Sequence, residues 1–443
     1  MGKGAFFLGF LLLLAAALPL PGEAFWFDEA FTANLTTFRL SPEKVVERVA
    51  QTDAHPPLFY LLAWAYARAV GAWGSAAEAP PEDIKARLRL FPTLTAALAS
   101  GAAGLAGGPL GALAAAANPD LLSKAREFRM YPLLALFWTL AYLGAVRGNL
   151  RLSAWAGLGA LWTHYLAPFL LLPLYAFLVL EARDRRRALL SLWPLLLFLP
   201  WLPALLGQLR GGMAMTAFRP DPLLALEPLY RLGAPEAFGL LLLGIVLHGG
   251  WRFRRERRGA LILLPFLGVL LWWGASLALN TVSLRYTGAF VPPMAAALGL
   301  AASALSRPTR ALLWAALFVA YASLLLEGEA RPAPPDEGFA RKAAILEALE
   351  RERGPFVVLG DERGRLISLR YYWRSESTLR PVTEGDLEAP PFRNGVLVLL
   401  QYPGGLSEEQ RLLLRLLQKA EEEGRLRPLE RGFVNLYLWE KRP

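Results

Sequence analysis

The sequence predicts a polytopic α-helical membrane protein that ends in a small soluble α/β domain. Hydrophobic residues make up 55% of it and aromatic residues 12%, with a mean hydropathy of +0.35, well above the values of soluble domains. Leu- and Ala-rich runs of about 14 to 21 residues recur from residue 6 to about residue 327, each long enough, or nearly so, to cross a hydrocarbon core as a helix. Beyond about residue 330 the hydropathy collapses. That drop separates an expected membrane domain, 1–329, from an expected soluble domain, 330–443.

The basic residues set the threading. A net charge of +10 would suit nucleic acid if it formed one patch, but the cations fall in short clusters between apolar runs, which excludes that reading. Lys3, 147–151, 183–187, 252–258 and 307–310 are the signature of cytoplasmic loops. Placing all five inside gives about eleven crossings: 6–20, 90–106, 109–119, 130–146, 152–162, 165–180, 188–208, 238–248, 260–279, 286–305 and 311–326. The N-terminus is then inside an inner membrane, and 23–89, 120–129, the turn at His164, 209–237, 280–285 and the C-terminal tail are outside. A cleaved signal peptide is the other reading of the N-terminus, and it also leaves Asp28 outside. The absence of cysteine excludes disulfides, thiolate metal sites and cysteine nucleophiles.

The first outer segment opens on FWFDEAFT, residues 25–32, where Asp28 and Glu29 stand side by side. SPEKVVERV, 41–49, has an N-cap serine, proline at the first helical position and valines at helical spacing, which predicts a helix lying on the membrane surface. His55-Pro56-Pro57 halts the chain before the aromatic run LFYLLAWAYARAVGAW, expected as a second interfacial helix; a true span is the alternative. Further along, the outer helix ends carry Arg89, then Glu127, Arg129 and Tyr131, then His164 and Tyr165, then Arg285 and Tyr286.

Charges avoid the bilayer centre, so their place at helix ends is unremarkable by itself. Their chemistry says more. Carboxylates take protons or bind sugar hydroxyls, and arginines grip phosphate through paired hydrogen bonds. A set of Asp28, Glu29, Asp53, His55, Arg89, Glu127, Arg129, His164 and Arg285, with Tyr131, Tyr165 and Tyr286, suits a phosphorylated, hydroxyl-rich lipid.

At these residues the sequence resembles the C-type glycosyltransferases (GT-C), specifically glycosyltransferase family 39, the protein O-mannosyltransferase and aminoarabinose transferase group. The matching pieces are Asp28-Glu29, D-x-HPPL at 53–58, R-L-x-P at 89–92, E-x-R-x-Y at 127–131, His164-Tyr165 and Arg285-Tyr286, in the family's order over about 25–302. The resemblance implies a GT-C fold, an extracytoplasmic active site, a polyprenyl-phosphate-linked sugar as donor and inverting transfer to a hydroxyl on a lipid, glycan or protein. It implies no obligatory cofactor. Relatives of the aminoarabinose type carry lysine, and with it a divalent metal site, where this chain has His55, so a divalent metal is the cofactor the resemblance leaves open.

Asp28 is then the expected catalytic base, taking the proton of the attacking hydroxyl while the lipid phosphate leaves from the opposite face. Arg89, Arg129 and Arg285, assisted by His55, supply positive charge where the leaving phosphate develops its own. Glu29, Asp53, Glu127, Tyr131, His164, Tyr165 and Tyr286 are expected to bind substrate. Blander readings stand beside these: a solvated charge patch for Asp28-Glu29, an interfacial anchor for His55, a headgroup contact for Arg285 and a local ion pair for Glu127 and Arg129. A transporter or flippase of a lipid-linked sugar or small solute is the rival function.

In the soluble domain, helices are expected at 338–353 and 407–423, the latter with a Ser407–Gln410 capping box, and strands at 356–359, 395–401 and 433–439. Residues 366–373 fit helix or strand. No Gly-rich phosphate fingerprint follows a strand, so the domain is expected to cap the active-site face or to recognise the acceptor.

Overall fold

The computed structural model describes residues 2–18, 20, 25–73, 82–210, 236–279, 286–326, 339–360, 369, 373, 378–388, 394–400, 408–422, 426–430 and 434–440. The chain forms two compact units, one of Met1–Leu20, Ala54–Phe59 and Arg89–Arg331, the other of Pro21–Asp53, Tyr60–Leu88 and Pro332–Pro443.

In the first unit every stretch predicted to cross is helical: α1 (Gly2–Ala17), α5 (Glu82–Ala116), α7 (Tyr131–Val146), α8 (Leu150–Thr163), α9 (Ala167–Glu181), α12 (Glu236–Arg252), α13 (Arg257–Leu279), α14 (Thr287–Ala301) and α15 (Arg307–Leu326), with 188–208 treated below. On α15, Leu312, Phe318, Val319 and Leu326 are mostly exposed, an apolar surface that lipid covers and water would not tolerate.

The two short crossings predicted at 90–106 and 109–119 are the arms of α5. Gly108 breaks the helix at φ +72°, a conformation glycine adopts without strain. Ser100 Oγ then donates to Ala112 O across the break at 3.3 Å, whereas residues twelve apart in a straight helix would be about 18 Å apart. Small residues permit the tight hairpin. A Cβ at Gly104 would lie 2.3 Å from Ala5 O, and one at Gly107 would lie 2.3 Å from Ala296 O, so α1, α5 and α14 meet backbone to backbone.

The crossing predicted at 188–208 is not one helix. It is α10 (Arg185–Ser191), a 3₁₀ stretch Trp193–Trp201 and α11 (Leu202–Arg210), bent by 41° at the joint. Pro194 and Pro200 each remove a backbone donor that an α-helix needs, and the chain tightens to 3₁₀ geometry between them.

The five basic clusters lie at one end of this unit. Arg257 pairs with Glu181 at the end of α9 at 2.6 Å and donates to Ala145 O and Val146 O at the end of α7. Arg258 donates to Leu300 O at the end of α14 at 2.9 Å, and Arg310 to Leu305 O at 3.1 Å. Gly2, beside Lys3, approaches Arg147, and Arg151 and Arg187 line one cavity. Cations are stabilised there because helix C-termini expose carbonyl groups carrying partial negative charge.

The second unit holds three helices of the outer segment, α2 (Phe27–Thr37), α3 (Pro42–Thr52) and α4 (Leu58–Ala69, from Tyr60 onward), together with the C-terminal domain. Ser41 caps α3 by accepting from Lys44 N, with Pro42 at the first position, as the sequence predicts. Strands β1 (Val357–Gly360), β2 (Thr378–Pro381), β3 (Asn394–Leu400), β4 (Leu426–Glu430) and β5 (Val434–Glu440) form one sheet in the order β2-β1-β3-β5-β4. β1 runs parallel to β2 and β3; β5 runs antiparallel to β3 and β4. Helix α16 (Phe339–Arg353), a single turn α17 (Glu384–Glu388) and α18 (Glu408–Glu422) complete the domain. Leu413, Leu416, Leu417 and Ala420 of α18 pack with Leu359 and Val382 in its core. The described residues of this stretch thus place one five-stranded sheet beside helices, β2 and β4 being additional to the three strands expected. Ser407 and most of 366–373 lie outside the described residues.

Candidate active site

Three of the sequence strings are joined through positions the strings leave unspecified. Phe91 fills the variable place of R-L-x-P, Phe128 the first variable place of E-x-R-x-Y, and Phe59 follows D-x-HPPL. The Phe59 ring sits 5.9 Å from Phe91 and 6.0 Å from Phe128, and Phe59 and Phe128 are fully buried. Thr93 Oγ1 also donates to Ala125 O at 2.7 Å, tying the rising arm of α5 to the end of α6 (Pro119–Ala125). Aromatic packing of this kind holds the backbone register from which the neighbouring polar residues project.

Four predicted residues form a ring cluster. His164 lies 4.7 Å from His55, 5.8 Å from Tyr131 and 5.4 Å from Tyr286, and Tyr131 lies 5.9 Å from Tyr286, all between ring centroids. His164 caps the C-terminus of α8, and its Nδ1 accepts from Leu166 N at 3.1 Å, so the neutral ring carries its proton on Nε2. Tyr131 and Tyr286 stand at the starts of α7 and α14. Trp272 backs Tyr286 at 6.3 Å.

Among the described residues of this unit, the buried charged side chains are Arg89, Glu127 and Arg129, all from the predicted set. Beside them stands a residue the sequence reading left out. Lys124 Nζ pairs with Glu127 Oε1 at 2.6 Å and lies 5.7 Å from the centre of the Tyr131 ring. Gly288 makes room for it: a Cβ there would come within 2.8 Å of Lys124 Cγ and 2.9 Å of Asp120 O. Its only sequence signal is a lysine three residues before a glutamate, the spacing of helical ion pairs. The blander reading pairs Glu127 with Arg129; the structure gives Glu127 an ion pair with Lys124.

Tyr165 turns elsewhere. Its hydroxyl bonds Gln208 and accepts from Trp201 Nε1 at 2.8 Å, fastening the broken span to the α8–α9 turn. Arg285 lies outside the described residues.

This end of the unit is opposite the arginine layer. α7 begins at Tyr131 in the ring cluster and ends at Val146, whose carbonyl Arg257 holds. Its 16 residues cover about 24 Å, most of a hydrocarbon thickness.

In the second unit, Asp28 and Glu29 are not in a loop. They occupy the first turn of α2, where the helix N-terminus stabilises negative charge. Successive helical residues are about 100° apart, and the two differ accordingly: Glu29 is fully buried and Asp28 partly open. The helix is buried although rich in polar residues, because Thr32, Thr36 and Thr37 donate to carbonyls four residues back at 2.7–2.9 Å and so bring no unpaired hydroxyl inside. Arg68 of α4 clamps its far end, donating to Thr36 O, Phe38 O and Leu40 O at 3.1–3.2 Å while stacking on Trp64. Withdrawal from water lowers the Arg68 guanidinium below its ordinary pKa. Asp53, expected at the substrate, ends α3 and accepts from the Tyr60 hydroxyl of α4, a bond that fixes the angle between those helices.

Among the described residues no three His, Asp or Glu side chains are placed to bind one metal ion, so these residues do not by themselves fit the divalent metal that the resemblance leaves open.

Solved structures decide the fold. ArnT from Cupriavidus metallidurans in the apo state superposes with a TM-score of 0.59 over 98% of this chain and 97% of its own, at 14% identity. The same protein bound to undecaprenyl phosphate gives 0.57, with 98% and 96% covered at 12% identity. The archaeal oligosaccharyltransferase AglB from Archaeoglobus fulgidus, in complex with an inhibitory peptide and a dolichol-phosphate, gives 0.52 over 85% of this chain and 64% of its own, at 10% identity. The fold is GT-C. No protein-family model matches the sequence, and no curated protein matches it either. The GT-C neighbours establish the architecture, and with the apolar helices they make this a multi-pass membrane protein; assignment to family 39 in particular goes beyond them.

Proposed function

We propose that this protein is an inverting glycosyltransferase that moves a sugar from a polyprenyl-phosphate donor to an acceptor hydroxyl at the outer face of the inner membrane. The observation that carries the reading is the placement of buried charge: the bundle keeps Arg89, Glu127 and Arg129 at the end opposite its basic layer, two cations to one carboxylate. A net positive, water-poor setting is what a departing lipid phosphate requires. The GT-C neighbours with undecaprenyl phosphate and dolichol-phosphate bound support the same donor class.

In this mechanism the acceptor oxygen attacks the anomeric carbon and gives its proton to the Asp28 carboxylate, while the bond from that carbon to the phosphate oxygen breaks and its electron pair leaves with the phosphate. Arg89 and Arg129, with Arg285, take up the developing charge. His55, Tyr131, His164 and Tyr286 form the aromatic wall for sugar or phosphate, and Glu127, oriented by Lys124, binds hydroxyls. Glu29, buried behind Asp28, orients it, and Asp53 and Tyr165 act by holding the outer helices and the broken span in position. About eleven crossings, with the basic layer inside and the C-terminal domain outside as cap or acceptor reader, complete the assignment.

The test is transfer from radiolabelled polyprenyl-phosphate sugars by membranes carrying wild type or Asp28→Asn at matched expression. Loss of a general base predicts a fall on the order of 10²- to 10⁴-fold with the lipid donor still bound. Transfer by Asp28→Asn at the wild-type rate overturns the mechanism. A wild type that moves the lipid across the bilayer without transferring sugar establishes the transporter reading instead.

A further inference from the structure

The basic end of the first unit has two kinds of arginine. Arg257, Arg258 and Arg310 are consumed by the fold, bonded to helix-end carbonyls and, for Arg257, to Glu181. Arg151 and Arg187 are not: among the described residues neither guanidinium makes an ion pair or side-chain hydrogen bond, and both are exposed. They line one cavity of about 400 Å³ with Trp155, Ser191, Trp193 and Pro194, between the start of α8 and the joint where α10 passes into 3₁₀ geometry.

The rest of the lining states what kind of anion belongs there. Trp155 and Trp193 are each about half exposed and pack edge to face at 5.7 Å, as tryptophans do at the level of lipid headgroups. Leu190, which lines the cavity, and Leu189, Leu196 and Leu199, which stand on either side of the joint, are each more than half exposed, an apolar surface along the broken span. A free phosphate would use the two guanidinia and leave the leucine track and the indole edges without a role. A membrane phospholipid uses all of them.

We infer that this cavity binds the phosphodiester headgroup of an anionic phospholipid, with Arg151 and Arg187 on the phosphate, the tryptophan pair at the glycerol level and the acyl chains along the broken span. The inference rests on reading this unit as membrane-embedded and is independent of the glycosyl transfer proposed above, since it concerns the opposite end of the bundle. It gives the proline-broken span a purpose, since the cavity is lined by residues on both sides of the bend.

The experiment uses full-length protein reconstituted in phosphatidylcholine nanodiscs, titrated with fluorescent phosphatidylglycerol and, separately, with inorganic phosphate as competitor. Each basic residue contributes about fivefold to anionic-lipid affinity. Arg151→Gln and Arg187→Gln should therefore each weaken binding about fivefold, and the double variant about twentyfold or more. Arg183→Gln/Arg186→Gln, in the same basic stretch but outside the cavity, should leave it within twofold. Equal loss in the two double variants would mean general surface charge and would overturn the site. Displacement of the lipid by millimolar phosphate would make it a free-anion site and would equally overturn the inference. Both arginines are exposed and unpaired, so the single variants are expected to fold and settle the matter if the double variant does not. Sugar transfer need not be measured, so failure here and failure of the transferase reading are separable.

Discussion

Lys124→Met tests whether the buried pair beside the site is a structural necessity. Its partners are 2.6 Å apart, with side chains only 14% and 8% exposed. At an effective dielectric near 20 that separation gives a gross attraction of about 6 kcal/mol. Removing two ions from water costs several kcal/mol each, so the pair as a whole is close to neutral for stability. Removing the ammonium alone leaves the buried Glu127 carboxylate with its desolvation cost and one counter-charge fewer, a loss of up to about 3–5 kcal/mol. Methionine keeps most of the stem's length and packing, which confines the effect to the charge. Lys124→Met/Glu127→Gln should recover most of the loss, because the stranded carboxylate is gone. The assay is denaturant unfolding of the four proteins of the cycle in one detergent, followed by tryptophan fluorescence. A double variant whose loss equals the sum of the two single-variant losses would give no coupling and would refute the argument, as would a Lys124→Met loss below about 1 kcal/mol, the range of an exposed pair.

Two further substitutions follow from the same reasoning. Arg68→Ala removes the donor to three carbonyls at the end of α2 and should cost about 2–4 kcal/mol, with Arg68→Lys recovering part of it because an ammonium cannot span the same oxygens; limited proteolysis near residues 36–40 reads the loosening directly. Phe59→Ala empties the aromatic contact that joins three sequence strings, with an expected loss of about 3–5 kcal/mol and a KM for the lipid donor raised more than kcat is lowered, whereas Phe59→Leu should retain most of both; equal behaviour of the two would show that the ring does not set the register.

Apolar stretches were legible because a bilayer imposes one demand, continuous hydrophobicity, that composition shows directly. Strands β1, β3 and β5 were legible for a related reason, being apolar runs between turn residues. The two strands not predicted, β2 and β4, are the edges of the sheet, and each contains a proline, Pro381 or Pro428, which a central strand does not tolerate. Read alone, such segments resemble loops. Helix α2 escaped notice because FDEAFTANLTT has no apolar stripe; its burial depends on threonines bonding back along their own helix, which no hydrophobic periodicity records. The bend in the span at 185–210 was written in Pro194 and Pro200, but an apolar run with prolines reads equally as a kinked helix or a broken one until its neighbours are known.

The candidate site divides along the same line. Residues chosen for chemistry, a carboxylate, a histidine or an arginine at the end of an apolar run, stand out because the bilayer makes ionisable groups costly, and among the described residues of the first unit the buried charges are Arg89, Glu127 and Arg129. What holds them does not stand out. Phe59, Phe91 and Phe128 are three of 24 phenylalanines in a sequence full of them, and nothing local marks them as the contact that brings three distant strings together. Asp53 shows something its string does not record: besides being a candidate ligand for sugar, its carboxylate accepts from the Tyr60 hydroxyl and so ties the end of α3 to α4. Charge in an apolar chain therefore points to a candidate site, while the aromatic and hydrogen-bonded supports around it become visible only when the helices are packed.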